Sequence, residues 1–173
     1  MHHIQNIKTE SYLTFLLGEE IFATNVTKVI SILELTKITK MPRTPEYIRG
    51  VINLRGVVLP IIDLRLKFDL SITEFTPRTC ILVLEVLVDE KLVKIGTLVD
   101  SVQEVLEMTQ DDILPPPRIG SSFDSDFLEG MFKNGDSFIM ILNMDKLFSN
   151  QEVNFMGSDL IFEEDVKSME PNN

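Results

Sequence analysis

Short runs of alternating apolar and polar residues, broken at close intervals by glycine, asparagine, aspartate or proline, dominate the chain and predict β-strands joined by turns. Tyr12 to Leu17 and Ile21 to Thr24 read as two strands of a hairpin with Gly18 in its turn. Asn25 caps at most one helical turn, and the apolar series Val26, Val29, Ile30, Ile32, Leu33, Leu35 begins near helical spacing and ends as a strand. In the stretch 41–68 Pro45 opens a helical turn that Gly50 closes in the left-handed conformation. Val51 to Leu54 then rise to an Arg55-Gly56 turn and Val57 to Leu64 return. Pro60 interrupts the returning run and removes a ladder donor, so a bulge or an unpaired edge is expected there. Leu70 to Pro77 is a polar connector, followed by a second hairpin of Cys80 to Val88 and Leu92 to Val99 through Asp89-Glu90. Beyond Phe148 a polar run opens a tail, residues 150–173. Ser158 and Asp159 read there as a helix start, followed by an uneven apolar face of Leu160, Ile161, Phe162, Val166 and Met169.

The pattern repeats. A shift of 73 lays Val26 on Val99, Val29 on Val102, Glu34 on Glu107 and Pro42 on Pro115, and a shift of 80 lays Gly50 on Gly130, Ile61 on Ile141, Asp63 on Asn143 and Phe68 on Phe148. The difference falls in the Pro/Ser/Gly/Asp-rich loop 116–127, where an insertion does least harm. Two copies of about five short strands predict two small β-barrels, near 12–68 and 80–148, within one domain of residues 10–149. Closing each sheet removes edges that sticky runs such as ILVL and FIMIL would otherwise expose.

A hydrophobic content of 44% suffices for a real core. The single cysteine excludes an internal disulfide, and with only His2 and His3 no Cys/His metal site assembles, so no metal or cofactor is expected. The first residues lack a signal-peptide core and the longest apolar runs are too short to span a bilayer, so the cytosol is the expected compartment. A formal charge of −11 argues against nucleic acid. Residues 37–67 nevertheless carry Lys37, Lys40, Arg43, Arg49, Arg55, Arg65 and Lys67 against Glu46 and Asp63, a basic island that is either a solvated face or a docking patch steered toward an acidic partner.

Catalytic candidates are few. No phosphate-cradling loop, zinc-binding helix motif, calcium loop or serine elbow stands at its required spacing. Asp111-Asp112 has the composition of a solvated turn, and Asp63 reads as a side chain satisfying backbone groups where a strand ends, since its mate Asn143 has no acid–base chemistry. Cys80, at the head of an apolar strand without a basic neighbour, reads as a small core hydrophobe.

The run Ile48-Arg49-Gly50-Val51-Ile52-Asn53-Leu54-Arg55-Gly56, followed by Leu59-Pro60-Ile61-Ile62-Asp63-Leu64 and Lys67-Phe68, resembles the CheW family of bacterial chemotaxis adaptors, and the likeness extends over most of 10–149. The resemblance implies two SH3-like five-stranded barrels sharing a hydrophobic seam. It also implies a non-enzymatic adaptor that couples the regulatory domain of the histidine kinase CheA to the cytoplasmic tips of methyl-accepting chemoreceptors, without inserting into the membrane. Carried over by position, Arg55 matches the family arginine of kinase and array contacts, Val29 a contact position, and Gly50 and Gly56 the glycines that shape the hairpin. Gly96 and Val102 fall where the second barrel helps to form a receptor-binding groove. Val29-Ile30-Ser31-Ile32 departs from the family's Val-x-Glu-Ile, so Ser31 takes the place of an acid that salt-bridges the kinase, and weaker kinase docking is expected. Two other classes compete: a double-barrel module binding some other signalling protein, and an enzyme whose basic hairpin holds an acidic small molecule.

Overall fold

The computed structural model describes residues 8–71, 74–116 and 126–148; the tail helix expected after Ser158 lies outside them. In chain order the elements are β1 (Thr9–Leu17), β2 (Glu20–Asn25), β3 (Val29–Glu34), β4 (Ile48–Leu54), β5 (Val57–Asp63), α1 (Leu64–Lys67), β6 (Cys80–Val88), β7 (Lys91–Val99), β8 (Ser101–Thr109), β9 (Ile113–Leu114), β10 (Leu128–Asn134), β11 (Ser137–Leu142) and α2 (Met144–Leu147). The Asn25 side chain accepts the Thr27 N–H and caps the single 3₁₀ turn Val26–Lys28 between β2 and β3. The expected helical turn at 45–50 does not form. One hydrogen bond from Ile48 N–H to the Pro45 carbonyl closes a tight turn, and Gly50 already lies inside β4, with φ +141 rather than a left-handed helical value.

The strands form two sheets, ordered β8-β1-β2-β11-β10-β9 and β3-β6-β7-β5-β4. Contiguous barrels over 12–68 and 80–148 are therefore not what assembles. The leading hairpin of each half pairs with the trailing strands of the other: β1–β2 sits between β8 and β11, and β6–β7 between β3 and β5. Periodicity identifies a hairpin but leaves its outer edges blank, and here each edge is satisfied by the opposite copy.

The exchange obeys the repeat in register. Phe15 opposes Val102 as Leu84 opposes Val29, Leu13 opposes Val105 as Leu82 opposes Ile32, and Tyr12 opposes Leu106 as Ile81 opposes Leu33, with a bulge at the same place in each ladder. Gly50 and Gly130 likewise stand at matching bulges, opposite Ile61 and Ile141. A Cβ on Gly50 would lie 2.0 Å from the Thr39 carbonyl oxygen and one on Gly130 2.7 Å from that of Leu114, so both positions admit only a bare backbone against the neighbouring strand.

Each barrel has its own small core. Ile52, Leu59, Ile61, Ile81, Val83 and Leu98 fill one, and Tyr12, Ala23, Met108, Ile139 and Ile141 the other. The largest cluster lies between them and includes Leu13, Phe15, Phe22, Ile62, Leu64, Leu82, Leu84, Leu142, Met144 and Phe148, drawn from both sheets. Strands buried on both faces explain why β5 and β6 read as nearly continuous apolar runs instead of alternating ones. Pro60 opposes Val51, whose own N–H and carbonyl bond to Thr39, so the missing donor faces the side where pairing with β7 begins only at Ile61.

Candidate protein-docking surface

The β4–β5 hairpin carries one cation of the basic island, Arg55, at its exposed tip. Leu54 opposes Val57, leaving Arg55 and Gly56 as a two-residue turn with φ +53 and +84, the signature of a type I′ turn. The Asn53 side chain accepts the Gly56 N–H at 2.8 Å and closes the turn locally. Such turns favour asparagine, aspartate or glycine at the first position; a long branched-head side chain held at positive φ is uncommon. Arg55 is exposed and makes no ion pair with any described residue. Arg43, Asp69, Asp89 and Glu90 also stand at positive φ, so Arg55 is one of five non-glycine residues held in this conformation, and the one at the tip of the β4–β5 hairpin.

Not all of the island is surface. Arg65 is 1% exposed: its Nε and one terminal nitrogen grip the Asp63 carboxylate at 3.0 and 2.9 Å, and the other terminal nitrogen reaches Asp100 at 2.9 Å. The Asp63 hydrogen bonds raise the guanidinium pKa above its ordinary value against the opposing effect of burial, with the Asp63 and Asp100 charges adding to the rise. Asp100 accepts the Gly18 N–H at 2.6 Å, so Arg65, in α1 just after β5, pins the tip of the exchanged β1–β2 hairpin through that carboxylate. The repeat makes the matching pin with opposite charge: Asp145 accepts the Leu87 N–H at 2.7 Å and the Lys28 ammonium at 2.7 Å. Asp63 and Asn143 also cap α1 and α2 through the N–H groups of Arg65 and Lys146, a structural role for both.

The cations left at or near the surface are Lys37, Lys40, Arg43, Arg55, the half-buried Arg49 and Lys67. The Arg49 Nε lies 3.4 Å from Asp63 and its guanidinium stacks over Phe75 at 5.4 Å, while the Lys67 ammonium sits between the Tyr47 and Phe148 rings, 5.3 Å from each.

The other site residues from the sequence fall in separate places. Gly56 belongs to the exposed turn, and Gly50 is buried in β4 against Thr39. Val29 and Val102 are half-buried mates that pack on the inter-barrel core. Ser31 is half-buried opposite Val83, on the face of β3 whose Leu33 packs into the barrel core, while Ile30 and Ile32 are 47% and 50% exposed on the other face. Gly96 is fully inside: a Cβ there would meet Ile61 at 2.5 Å and Ile81 at 3.0 Å, so its absence of a side chain serves packing. The exposed β3 isoleucines went unread, although apolar residues at consecutive outward positions of an edge strand are the signal that finds them. Cys80 is half-buried at the edge of the inter-barrel core, and that burial pushes its thiol pKa up. Among the described residues no group of three or more His, Cys, Asp or Glu is placed to hold a metal ion, and no helix is long and apolar enough to cross a membrane.

Comparison with known proteins agrees with this architecture. The family described as CheW-like domain matches residues 11–152. The chemotaxis protein CheW of Rhizobium meliloti is 36% identical over 140 residues, 81% of this chain and 88% of the relative. That of Klebsiella aerogenes is 33% identical over 144 residues, 83% and 84% of the two chains. The crystal structure of the scaffolding protein TtCheW from Thermoanaerobacter tengcongensis superposes with a TM-score of 0.73 at 33% identity, covering 84% of this chain and 96% of that one. With its two exchanged SH3-like barrels and a family match that spans nearly all the described strands, the chain belongs to the CheW-like family.

Proposed function

We propose that this chain is a non-enzymatic coupling adaptor of chemotaxis, working in the cytoplasm and joining the regulatory domain of the histidine kinase CheA to the tips of methyl-accepting chemoreceptors. The observation that carries the reading is Arg55, an exposed guanidinium at the tip of the β4–β5 hairpin with no ion pair among the described residues. A fixed fork of donors at such a position suits bidentate capture of a partner carboxylate. The exposed Ile30 and Ile32 add an apolar element on the β3 edge, with Val29 and Ser31 between the seam and that edge. Gly50 and Gly56 act by shaping the hairpin, and Gly96 and Val102 by holding the barrel and seam beneath a receptor groove.

Titration calorimetry of the full chain against the kinase regulatory domain and against a receptor-tip fragment tests the reading. Arg55→Glu is expected to weaken kinase binding more than Arg55→Ala does, because it adds repulsion to a lost contact. Ser31→Glu, which restores the family acid, is expected to strengthen kinase binding by a few-fold at most, since a new exposed ion pair is worth about 0.2–1 kcal/mol. Binding of neither fragment by the wild-type chain would remove the coupling role, and intact kinase binding by Arg55→Glu would move the contact elsewhere.

A further inference from the structure

The loop 35–47 between β3 and β4, the start of β4, α1 and Phe75 enclose a cleft of about 570 Å³, a volume typical of ligand sites, lined among others by Ile38, Lys40, Arg43, Arg49 and Leu66. Its frame is fixed from within the chain. Thr39 and Val51 exchange backbone hydrogen bonds of 2.8 and 2.9 Å, and Pro42 and Pro45 each hold a φ angle of the loop. The Thr44 hydroxyl donates to the Met41 carbonyl, and the Ile48 N–H to that of Pro45. Phe75 serves as a shelf rather than as a docking surface, since the Arg49 and Arg65 guanidiniums already lie over its ring at 5.4 and 5.8 Å.

Arg49 is the member with capacity to spare. It is half-buried and held from two sides, by the Phe75 ring and by Asp63 3.4 Å from its Nε, yet its two terminal nitrogens make no hydrogen bond with any described residue. A guanidinium aligned in advance, with its outer donors unused, is arranged for a carboxylate, which two parallel N–H groups grip together. The distribution of charge asks for the same chemistry. Arg49 and Arg65 are matched by Asp63 and Asp100 in one network, which leaves the exposed Lys40 and Arg43 against the single exposed acid Glu46 in the cleft lining. Ile38 and Leu66, both half-buried, supply apolar wall. Carboxylates at two points with an apolar group between them describe a short acidic stretch of another protein chain, whereas a simple monoanion meets only one of the three cations.

We propose that this cleft binds a short acidic segment of a partner protein, with one carboxylate on the Arg49 guanidinium, a second facing Lys40 and Arg43, and an apolar side chain against Ile38 and Leu66. The site lies at the start of β4 and does not use the Arg55 turn at the end of that strand, so it adds a second point of attachment to the same hairpin. Because its walls are fixed before binding, little ordering is needed on this side of the contact. The inference does not rest on the coupling role or on which protein presents the segment.

The test titrates the full-length ¹⁵N-labelled protein, at low ionic strength, with the peptide Ac-Glu-Leu-Glu-Leu-Glu-NH2. Saturable shifts are expected at the amides of 38–49, 66 and 75, and none of comparable size elsewhere. Arg49→Gln is expected to weaken binding by about tenfold or more, the loss of a charge-assisted pair. Arg49→Lys is expected to fall nearly as far, since it keeps the charge but loses the fork. Arg49 also touches Asp63, so the double variant Lys40→Glu/Arg43→Glu, confined to exposed side chains, provides a test that leaves the fold contacts alone; it is expected to abolish binding, while the charge-matched Lys91→Glu, outside the cleft, leaves it intact. Absence of saturable binding, shifts centred on another surface, or a double variant that binds as well as the wild type overturns the proposal. So does equal binding of inorganic phosphate or succinate, because the cleft is then a general anion site and not one for an acidic protein segment.

Discussion

Arg55→Asn separates a residue kept for binding from one kept for the fold, because the two roles predict opposite signs. The turn holds Arg55 at φ +53 beside Gly56 at +84, a geometry that asparagine adopts more readily than arginine. A non-glycine residue in left-handed conformation carries about 1–2 kcal/mol of strain, of which asparagine relieves part, so the substitution is expected to stabilise by roughly 0.5–1 kcal/mol. Nothing in the described structure opposes that gain, since the guanidinium has no internal ion-pair partner and Asp63 is occupied by Arg65 and Arg49. For a chain of this size the gain corresponds to a melting temperature higher by about 1–4 °C. Binding moves the other way: losing an arginine at the centre of an interface typically costs about 2 kcal/mol, near thirtyfold in affinity. A thermal melt and a binding isotherm for the kinase regulatory domain on one sample decide it. A lower melting temperature with unchanged affinity refutes the assignment and returns Arg55 to the fold.

Three further outcomes follow from the geometry. Arg65→Met is expected to cost about 3 kcal/mol in urea unfolding, at the low end for a broken buried pair because Arg49 stays 3.4 Å from Asp63, and Asp63→Asn in the same chain is expected to recover part of the loss. Gly50→Ala is expected to destabilise more than Gly130→Ala, by about 1–3 kcal/mol or more, because it meets a backbone oxygen at 2.0 Å and also carries a φ of +141; equal melting temperatures would refute this. Glu129 is exposed on β10, and partial desolvation first, then the nearby Glu10 charge, raise its carboxyl pKa, so that a small, solvent-screened stabilising contribution is complete below the unfolded value near 4.3 and is lost as pH rises through the folded one. Glu129→Gln is therefore expected to raise the melting temperature at pH 7, with the difference vanishing toward pH 4.

What sequence could and could not convey divides along the range of the interactions. The hairpins, the Asn25 cap, the Asp63 and Asn143 caps and the Arg55-Gly56 turn are set by residues within a few positions of one another, so composition and spacing identify them. The exchange of hairpins is a choice among distant partners, and strands buried on both faces give no alternation from which to infer it. Arg65 illustrates the same limit in one side chain. In the string Asp-Leu-Arg-Leu-Lys it reads as surface charge, yet its carboxylate partners are at 63 and 100, and only the exchanged topology brings Asp100 to it. Gly50 was legible as a special backbone position, but its reason is the approach of Thr39, a contact that no local rule supplies.

The two barrels share a plan and differ in charge at matching points. Arg49 stands where the other copy has Glu129, the Arg55-Gly56 turn where it has Gly135-Asp136, and Arg65 where it has Asp145. Inside the molecule each pin finds its own counter-charge, Asp100 for Arg65 and Lys28 for Asp145. At the surface, Arg49 and the Arg55-Gly56 turn of one copy stand at positions where the other copy presents Glu129 and Gly135-Asp136, so one backbone plan carries different charge at equivalent points while the buried Arg65 and the Asp145 that matches it each serve the fold.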